Sequence, residues 1–164
     1  MRHQIRILIC AASVALAALA AFASMKRVSR LPKLVIPAGA IEKSETVEVG
    51  SRRSELLAAA SSRTHDITLE LDVEAERSPE TFYQVFVGTR NVGNIALYGV
   101  GIRSEARGEF RPYHVQLIVS EAVAAALRSR SAHTLMIRFV PNAKPKAALT
   151  VDQGVIVIGP RLRE

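Results

Sequence analysis

Histidine is the residue type in this chain best suited to metal chemistry, and there are four: His3, His65, His114 and His133. No two of them have the i, i+4 spacing of ligands on one helix face, and the last three have no cysteine near them. The pattern predicts no compact metal site, and we expect no cofactor. One alternative stays open, a site assembled in the fold from dispersed residues such as His65, His114 and Glu70.

A row of carboxylates alternates with apolar residues: Glu70, Asp72, Glu74 and Glu76. On a strand, successive residues of one face are roughly 7 Å apart, which spreads their charge along the face. The row therefore predicts a solvated outer face. A calcium site is the alternative, and it would need further oxygen ligands from loops.

The serines and glycines form no catalytic or nucleotide-binding motif. The patterns G-x-S-x-G and S-x-x-K, which mark activated serines, do not occur, and neither does G-x-G-x-x-G nor a phosphate-binding loop. We expect a protein that is not an enzyme and has no catalytic residue.

The residues after position 64 predict strands that would position these side chains. Ile67, Leu69, Leu71 and Val73 alternate with polar residues, as on a half-buried strand. Further strands are predicted at residues 82–87, 95–100 (after a turn at 91–94), 113–119, 134–140 and 155–158. The spacing in residues 120–129 predicts the one short helix, with Ser120 as its cap. The fold class is therefore all-β, mainly an antiparallel sandwich or open barrel.

Residues 1–23 have the pattern of a secretory signal peptide. Arg2, His3 and Arg6 precede an apolar run over residues 7–22, and Ala21-Phe22-Ala23 matches a small-residue cleavage site. We expect an exported, periplasmic or secreted protein. An uncleaved helix that anchors it to the inner membrane is the alternative.

Residues 24–64 predict a basic, proline-containing tether and irregular segment, with a weak edge strand at 40–49 and a short helix or a covering loop at 53–62. Residues 65–164 predict the β-rich domain.

The formal charge of +7 accompanies no nucleic-acid motif. We expect no nucleic-acid partner, and membrane contact only through an uncleaved N-terminal segment. An acidic partner or an anionic membrane surface fits the charge better.

Four blocks resemble the C-terminal domain of tyrosinases and plant-type polyphenol oxidases: SPETFYQVFVGTRNVGNIALYGVGI, YHVQLIVSEAVAAALRS, HTLMIRFVPN and GVIVIG. The order of the blocks resembles the order of strands in that family: an aromatic strand, a glycine-containing strand, a strand that leads into a helix, a strand that ends in a Val-Pro pair, and a closing strand. The Val-Pro pair is Val140-Pro141 here. The resemblance runs from Leu69 to Gly159 and concerns the fold more than a reaction.

The resemblance implies a domain that packs over a helical dicopper domain, restricts substrate entry and holds no copper itself. We expect the chain to depart from the family, because the residues before these blocks predict a signal peptide and a tether and not a catalytic domain. The leading hypothesis is a non-catalytic protein that binds or shields a partner such as a type-3 copper oxidase. Tyr83, Tyr98 and Tyr113 are the candidate partner-binding residues. The alternatives are a remnant of a longer tyrosinase gene without activity, and the dispersed-histidine metal-binding protein.

Overall fold

The computed structural model describes residues 25–97, 112–128 and 132–161. The predicted signal or anchor segment at 1–23 and the candidate Tyr98 lie outside them. The strands are β1 (Lys26–Leu31), β2 (Leu34–Ile36), β3 (Lys43–Glu48), β4 (His65–Glu74), β5 (Phe82–Val87), β6 (Arg90–Ala96), β7 (Tyr113–Ile118), β8 (Thr134–Pro141) and β9 (Leu149–Pro160). The helices are α1 (Arg53–Ala60) and α2 (Ser120–Ala126), and a 3₁₀ turn, Gly50–Arg52, precedes α1.

The strands form two antiparallel sheets. Sheet A has the order β1-β9-β4-β7, with β2 pairing to β9 beyond the end of β1, and sheet B has the order β3-β8-β5-β6. The predicted all-β antiparallel sandwich is confirmed. The described part of the chain has two short helices, α2 where the sequence predicted its one short helix and α1 where it left a short helix or a covering loop open. No helix in that part is long and apolar enough to cross a membrane.

Strand β4 shows why these residues form a sandwich. Ile67, Leu69, Leu71 and Val73 are all fully buried, whereas the polar residues between them are half-buried on the opposite face. Because side chains alternate along a strand, one face of β4 enters the core and the other faces outward. The predicted strand is confirmed, and so is the outer position of its carboxylates.

The two sheets approach each other at both pairs of edges. Along one side, the Ser29 hydroxyl on β1 donates a hydrogen bond to the Glu48 carbonyl on β3, at 3.0 Å. On the other side β6 lies so close to β7 that a Cβ on Gly93 would sit 2.6 Å from Leu117 Cδ2. A side chain here would force Leu117 to move, and the positive φ of Gly93, +152°, also favours glycine. The sandwich is therefore nearly closed into a barrel.

The segment before residue 65 differs from the predicted tether. Strands β1 and β2 pair with β9, β3 pairs with β8, and α1 buries Leu56 and Ala59. Basic residues and prolines made residues 24–37 look unstructured, but Leu31, Leu34 and Ile36 enter the core. The predicted edge strand of this segment is confirmed, a helix forms where a covering loop was the alternative, and both belong to the sandwich.

The hairpin between β5 and β6 turns earlier than predicted. Val87 pairs with Arg90, so the turn consists of Gly88 and Thr89 and not of residues 91–94. Gly88 has φ +61°, which a two-residue hairpin favours at its first central position. The predicted strand at 95–100 is therefore the end of β6, and its last three residues lie outside the described ranges.

Strand β9 is much longer than the predicted residues 155–158. It runs from Leu149 to Pro160 and pairs with β4 along its length. The pairing register shifts at Asp152, an extra residue of β9 that has no partner on β4. That bulge breaks the alternation of apolar residues, so the first half of β9 has no period-2 pattern in the sequence.

Candidate binding surfaces

The carboxylate row on the outer face of sheet A makes local pairs across the strands. His114 Nδ1 on β7 lies 2.8 Å from Asp72 Oδ1, and Gln116 donates to Glu70 Oε1 at 3.1 Å. The register places each pair directly opposite on β4 and β7. These carboxylates are therefore engaged by neighbouring side chains on the sheet.

The dispersed residues of the metal-site alternative do not meet. His65 Nδ1 lies 2.9 Å from the hydroxyl of Thr64, at the other end of β4 from the partner of His114. His65 and Asp72 are seven residues apart on that strand, which is roughly 23 Å. Among the described residues, no group of three or more potential ligands could hold a metal ion.

The three candidate tyrosines have different positions. Tyr83 on β5 is 1% exposed, and its side chain packs in the core, so it does not present a surface to a partner. Its hydroxyl has no hydrogen-bond partner among the described atoms, and burial raises the pKa of the phenol to about 12. Tyr113, at the start of β7, is 37% exposed. Tyr98 lies outside the described residues.

Ser120 is not the predicted cap of α2, because Val119 is the N-cap residue, no side-chain cap bond forms, and Ser120 is the first helical residue. Its hydroxyl has another structural role. Its buried hydroxyl accepts a hydrogen bond from the Ile67 amide at 2.9 Å and donates to Asp66 Oδ1 at 3.3 Å. Asp66 also receives three hydrogen bonds from Nε and Nη2 of Arg161, which hold the pKa of the carboxyl below its ordinary value. The cluster fastens α2 and the end of β9 to β4.

Two arginines lie together on the β1 edge of sheet A. Arg27 pairs with Val157 and Arg30 with Val155, so both occupy the outer face although they are three residues apart. In a regular strand they would face opposite sides, and the bulge at Val28 brings them together. They line a surface hollow of about 310 Å³ with residues of β9, including Asp152 and Gly154. We call this the arginine hollow.

The arginine hollow keeps its two positive charges unneutralised within the described residues. No carboxylate there lies within ion-pair distance of Arg27 or Arg30, and both side chains are exposed. Asp152 also lines the hollow, but Lys33 Nζ holds its Oδ1 at 2.7 Å. The basic residues of this segment are evident in the sequence. Their position on one common face is not, because it depends on the bulge.

The outer face of sheet B has a different character. Phe82 and Phe86 on β5 and Val140 on β8 are half-buried there, and Met136 is 44% exposed. The Arg138 guanidinium lies 4.9 Å from the centre of the Phe86 ring and 3.5 Å from Glu42. We call this group the aromatic face. The sequence analysis missed it, although its residues alternate with the buried positions of two predicted strands.

Comparison with known proteins adds one distant likeness. No protein-family description matches the chain, and no curated protein matches it. A solved structure described as latent aurone synthase (polyphenol oxidase) from natural source is similar over 84% of this chain, with a TM-score of 0.43 and 13% identity. The aligned part spans 26%, about a quarter, of that protein. Values this low indicate a distant structural relationship and carry no functional conclusion.

Proposed function

We propose that this chain is an exported, non-catalytic protein that binds a partner protein, and that the partner is a type-3 copper oxidase of the tyrosinase and polyphenol oxidase kind. The observation that carries the proposal is the aromatic face of sheet B. In this proposal the face covers part of the oxidase surface and restricts access to its copper site.

The composition of the aromatic face supports a protein partner. Aromatic residues, methionine and arginine are enriched where protein interfaces bury most area, and charged pairs are rare there. Phe86, Met136 and Arg138 are neighbours on adjacent strands of this face. Stacking on Phe86 leaves the arginine flat against the sheet, where its remaining N–H groups can bond a partner's carbonyl or carboxylate oxygens.

The opposite side of the sandwich suits a protein interface less well. The outer face of sheet A is crossed by the carboxylates of β4, whose partners Gln116 and His114 keep them in place. Burying such a face would desolvate several charges at once, which costs more than their mutual attraction returns. Sheet B is therefore the side on which we place the partner.

The choice of an oxidase as partner rests on the resemblance of the strand blocks to the tyrosinase C-terminal domain. A domain of that kind packs over a dicopper domain, and the present chain would make the same type of contact as a second polypeptide. Shielding requires complementarity of surfaces and no chemistry from the chain itself.

The test is a binding and inhibition measurement with a purified tyrosinase dicopper domain that lacks its own C-terminal domain. We expect saturable binding by calorimetry and a parallel fall in diphenol oxidation. Met136→Ser should weaken binding by about 5- to 30-fold, the effect of losing 1–2 kcal/mol at an interface centre. Ile118→Ser is the matched control, because Ile118 is a 67% exposed apolar residue on the outer face of sheet A.

Equal effects of the two substitutions would place the contact elsewhere and contradict the role of the aromatic face. Saturable binding that leaves oxidation unchanged would contradict shielding while retaining a partner. If neither binding nor inhibition occurs at micromolar concentrations, the oxidase partner is wrong.

A further inference from the structure

We propose that the arginine hollow is a docking site for the phosphate groups of anionic lipid headgroups, so that the β1 edge of sheet A rests on a bilayer surface. This inference is independent of the oxidase partner, because it concerns the opposite sheet. It commits to a membrane surface and not to an acidic protein.

The first argument is the way the two arginines are gathered. Strand β1 needs the bulge at Val28 to place Arg27 and Arg30 on one face, over a hollow floored by β9. Guanidinium groups bind phosphate oxygens in pairs of hydrogen bonds, and two neighbouring guanidiniums can hold one phosphodiester or two adjacent ones. The hollow, at about 310 Å³, has the size of a small polar headgroup.

The second argument is the state of the nearby charges. Lys26 Nζ is held 2.6 Å from Glu55, Lys33 is held by Asp152, and Arg161 is held by Asp66. Among the described basic residues at this edge, Arg27 and Arg30 are the two with no carboxylate partner. They are therefore free to neutralise an external anion without breaking an ion pair of the fold.

The third argument is the position of β1 in the chain. Only Ser24 and Met25 separate the end of the apolar segment at Ala23 from Lys26. Three residue steps span at most about 11 Å, so an inserted N-terminal segment would hold β1 at the headgroup layer. Cleavage after Ala23 would instead leave a new amino group beside the same strand, which adds positive charge there.

The carboxylates of β4 determine the orientation. Glu70 lies on the same outer face as Arg30, but β9 lies between the two strands, so the backbones of these two residues are about 10 Å apart. This separation is similar to the Debye length of about 8 Å at physiological salt, so salt weakens the attraction between the two side chains. A protein tilted onto its β1 edge thus presents the arginines to the lipid and keeps the carboxylates in solution.

The protein is purified from its native host, so that its N-terminus is processed as in the cell. Its binding to phosphatidylcholine vesicles is then compared with its binding to vesicles that contain about one third phosphatidylglycerol. The ratio of the two partition coefficients isolates the headgroup charge, because an apolar N-terminal segment would insert into both. We expect a preference for the anionic vesicles that falls as salt rises. The variant Arg27→Gln/Arg30→Gln should lower that preference by roughly 30-fold, about fivefold for each arginine.

The matched control is Arg128→Gln/Lys144→Gln, which removes the same two charges from exposed positions outside the hollow. We expect less than a threefold change. Arg27→Lys/Arg30→Lys keeps the charge and should retain most of the preference, and thermal unfolding by circular dichroism shows that each variant is folded. Equal losses in the glutamine pair and the control pair would mean that net charge alone drives binding and would overturn the proposal.

Two further outcomes would overturn it. The first is a wild-type protein with no preference between the two vesicle types. The second is displacement from the vesicles by a soluble oligoglutamate peptide at low micromolar concentration, which would assign the arginines to an acidic protein segment.

Discussion

Replacing Tyr83 by phenylalanine is expected to remove a pH-dependent part of the stability without weakening the fold at neutral pH. The side chain is 1% exposed, and its hydroxyl has no hydrogen-bond partner among the described atoms. Burying an unpaired hydroxyl costs about 1–3 kcal/mol, and phenylalanine keeps the ring. At pH 7 the free energy of unfolding of the variant should equal or exceed that of the wild type by up to about 2 kcal/mol.

The alkaline behaviour follows from the pKa of the phenol. Burial raises it from 10.0 in the unfolded chain to about 12 in the folded one, because the phenolate is disfavoured in the core. The folded state therefore holds its proton more tightly. This contribution is almost fully present below pH 10 and is lost as the pH rises through 12. Two pKa units correspond to about 2.7 kcal/mol in total, of which the wild type, unlike the variant, loses roughly 2 kcal/mol by pH 11.5.

Urea unfolding at pH 7, 9, 10.5 and 11.5 measures the difference between the two proteins. The matched control is Tyr113→Phe, which removes the same hydroxyl from a ring at the surface and should leave the curve parallel to that of the wild type. Parallel curves for wild type and Tyr83→Phe between pH 10 and 12 would refute the reasoning. A loss of more than 1 kcal/mol at pH 7 would show that the hydroxyl has a partner and would refute it equally.

Two other predictions concern the fold. Gly154→Ala should destabilise the protein by about 1–3 kcal/mol in thermal unfolding, because the new Cβ would lie 2.9 Å from Leu31 Cβ in the core. Gly50→Ala is its control, since nothing lies within 4 Å there, and an equal loss would contradict the packing argument. Asp66→Asn should remove the part of the acid sensitivity that comes from this carboxyl. The lowered pKa of Asp66 adds stability that is present above its unfolded value and lost as the pH falls through the folded value. Acid unfolding curves of wild type and variant that coincide would contradict it.

The sequence predicts the centre of the sandwich better than its edges. Strand β4 is predictable because every apolar residue in it faces one core, and no proline, glycine or bulge interrupts the alternation until its end. Strands β1 and β9 both contain register shifts. A bulge moves the following side chains to the other face, so a local pattern of period 2 fails there although the strand continues.

The candidate surfaces were harder to predict for a related reason. The tyrosines were chosen by residue type, but whether Tyr83 enters the core depends on which face of β5 meets β4 across the sandwich. The aromatic face combines residues of β5 and β8, which are about 50 positions apart in the chain. The arginine hollow needs the bulge in β1 and the pairing of β1 with the distant β9. Both are properties of strand pairing and not of any single segment.

The pairing of β1 with β9 also has a mechanical consequence. Lys26 lies opposite Ile158, so the first residue of β1 and the C-terminal end of β9 are one strand spacing apart. Tension applied between these two points would pull the strands apart from one end and break their hydrogen bonds one after another. When two antiparallel strands are pulled at the same end, their hydrogen bonds break in sequence, and this requires much less force than shearing, in which the strands slide past each other. In the proposed membrane-bound state, a pull on the C-terminal end is therefore expected to separate β1 from β9 first.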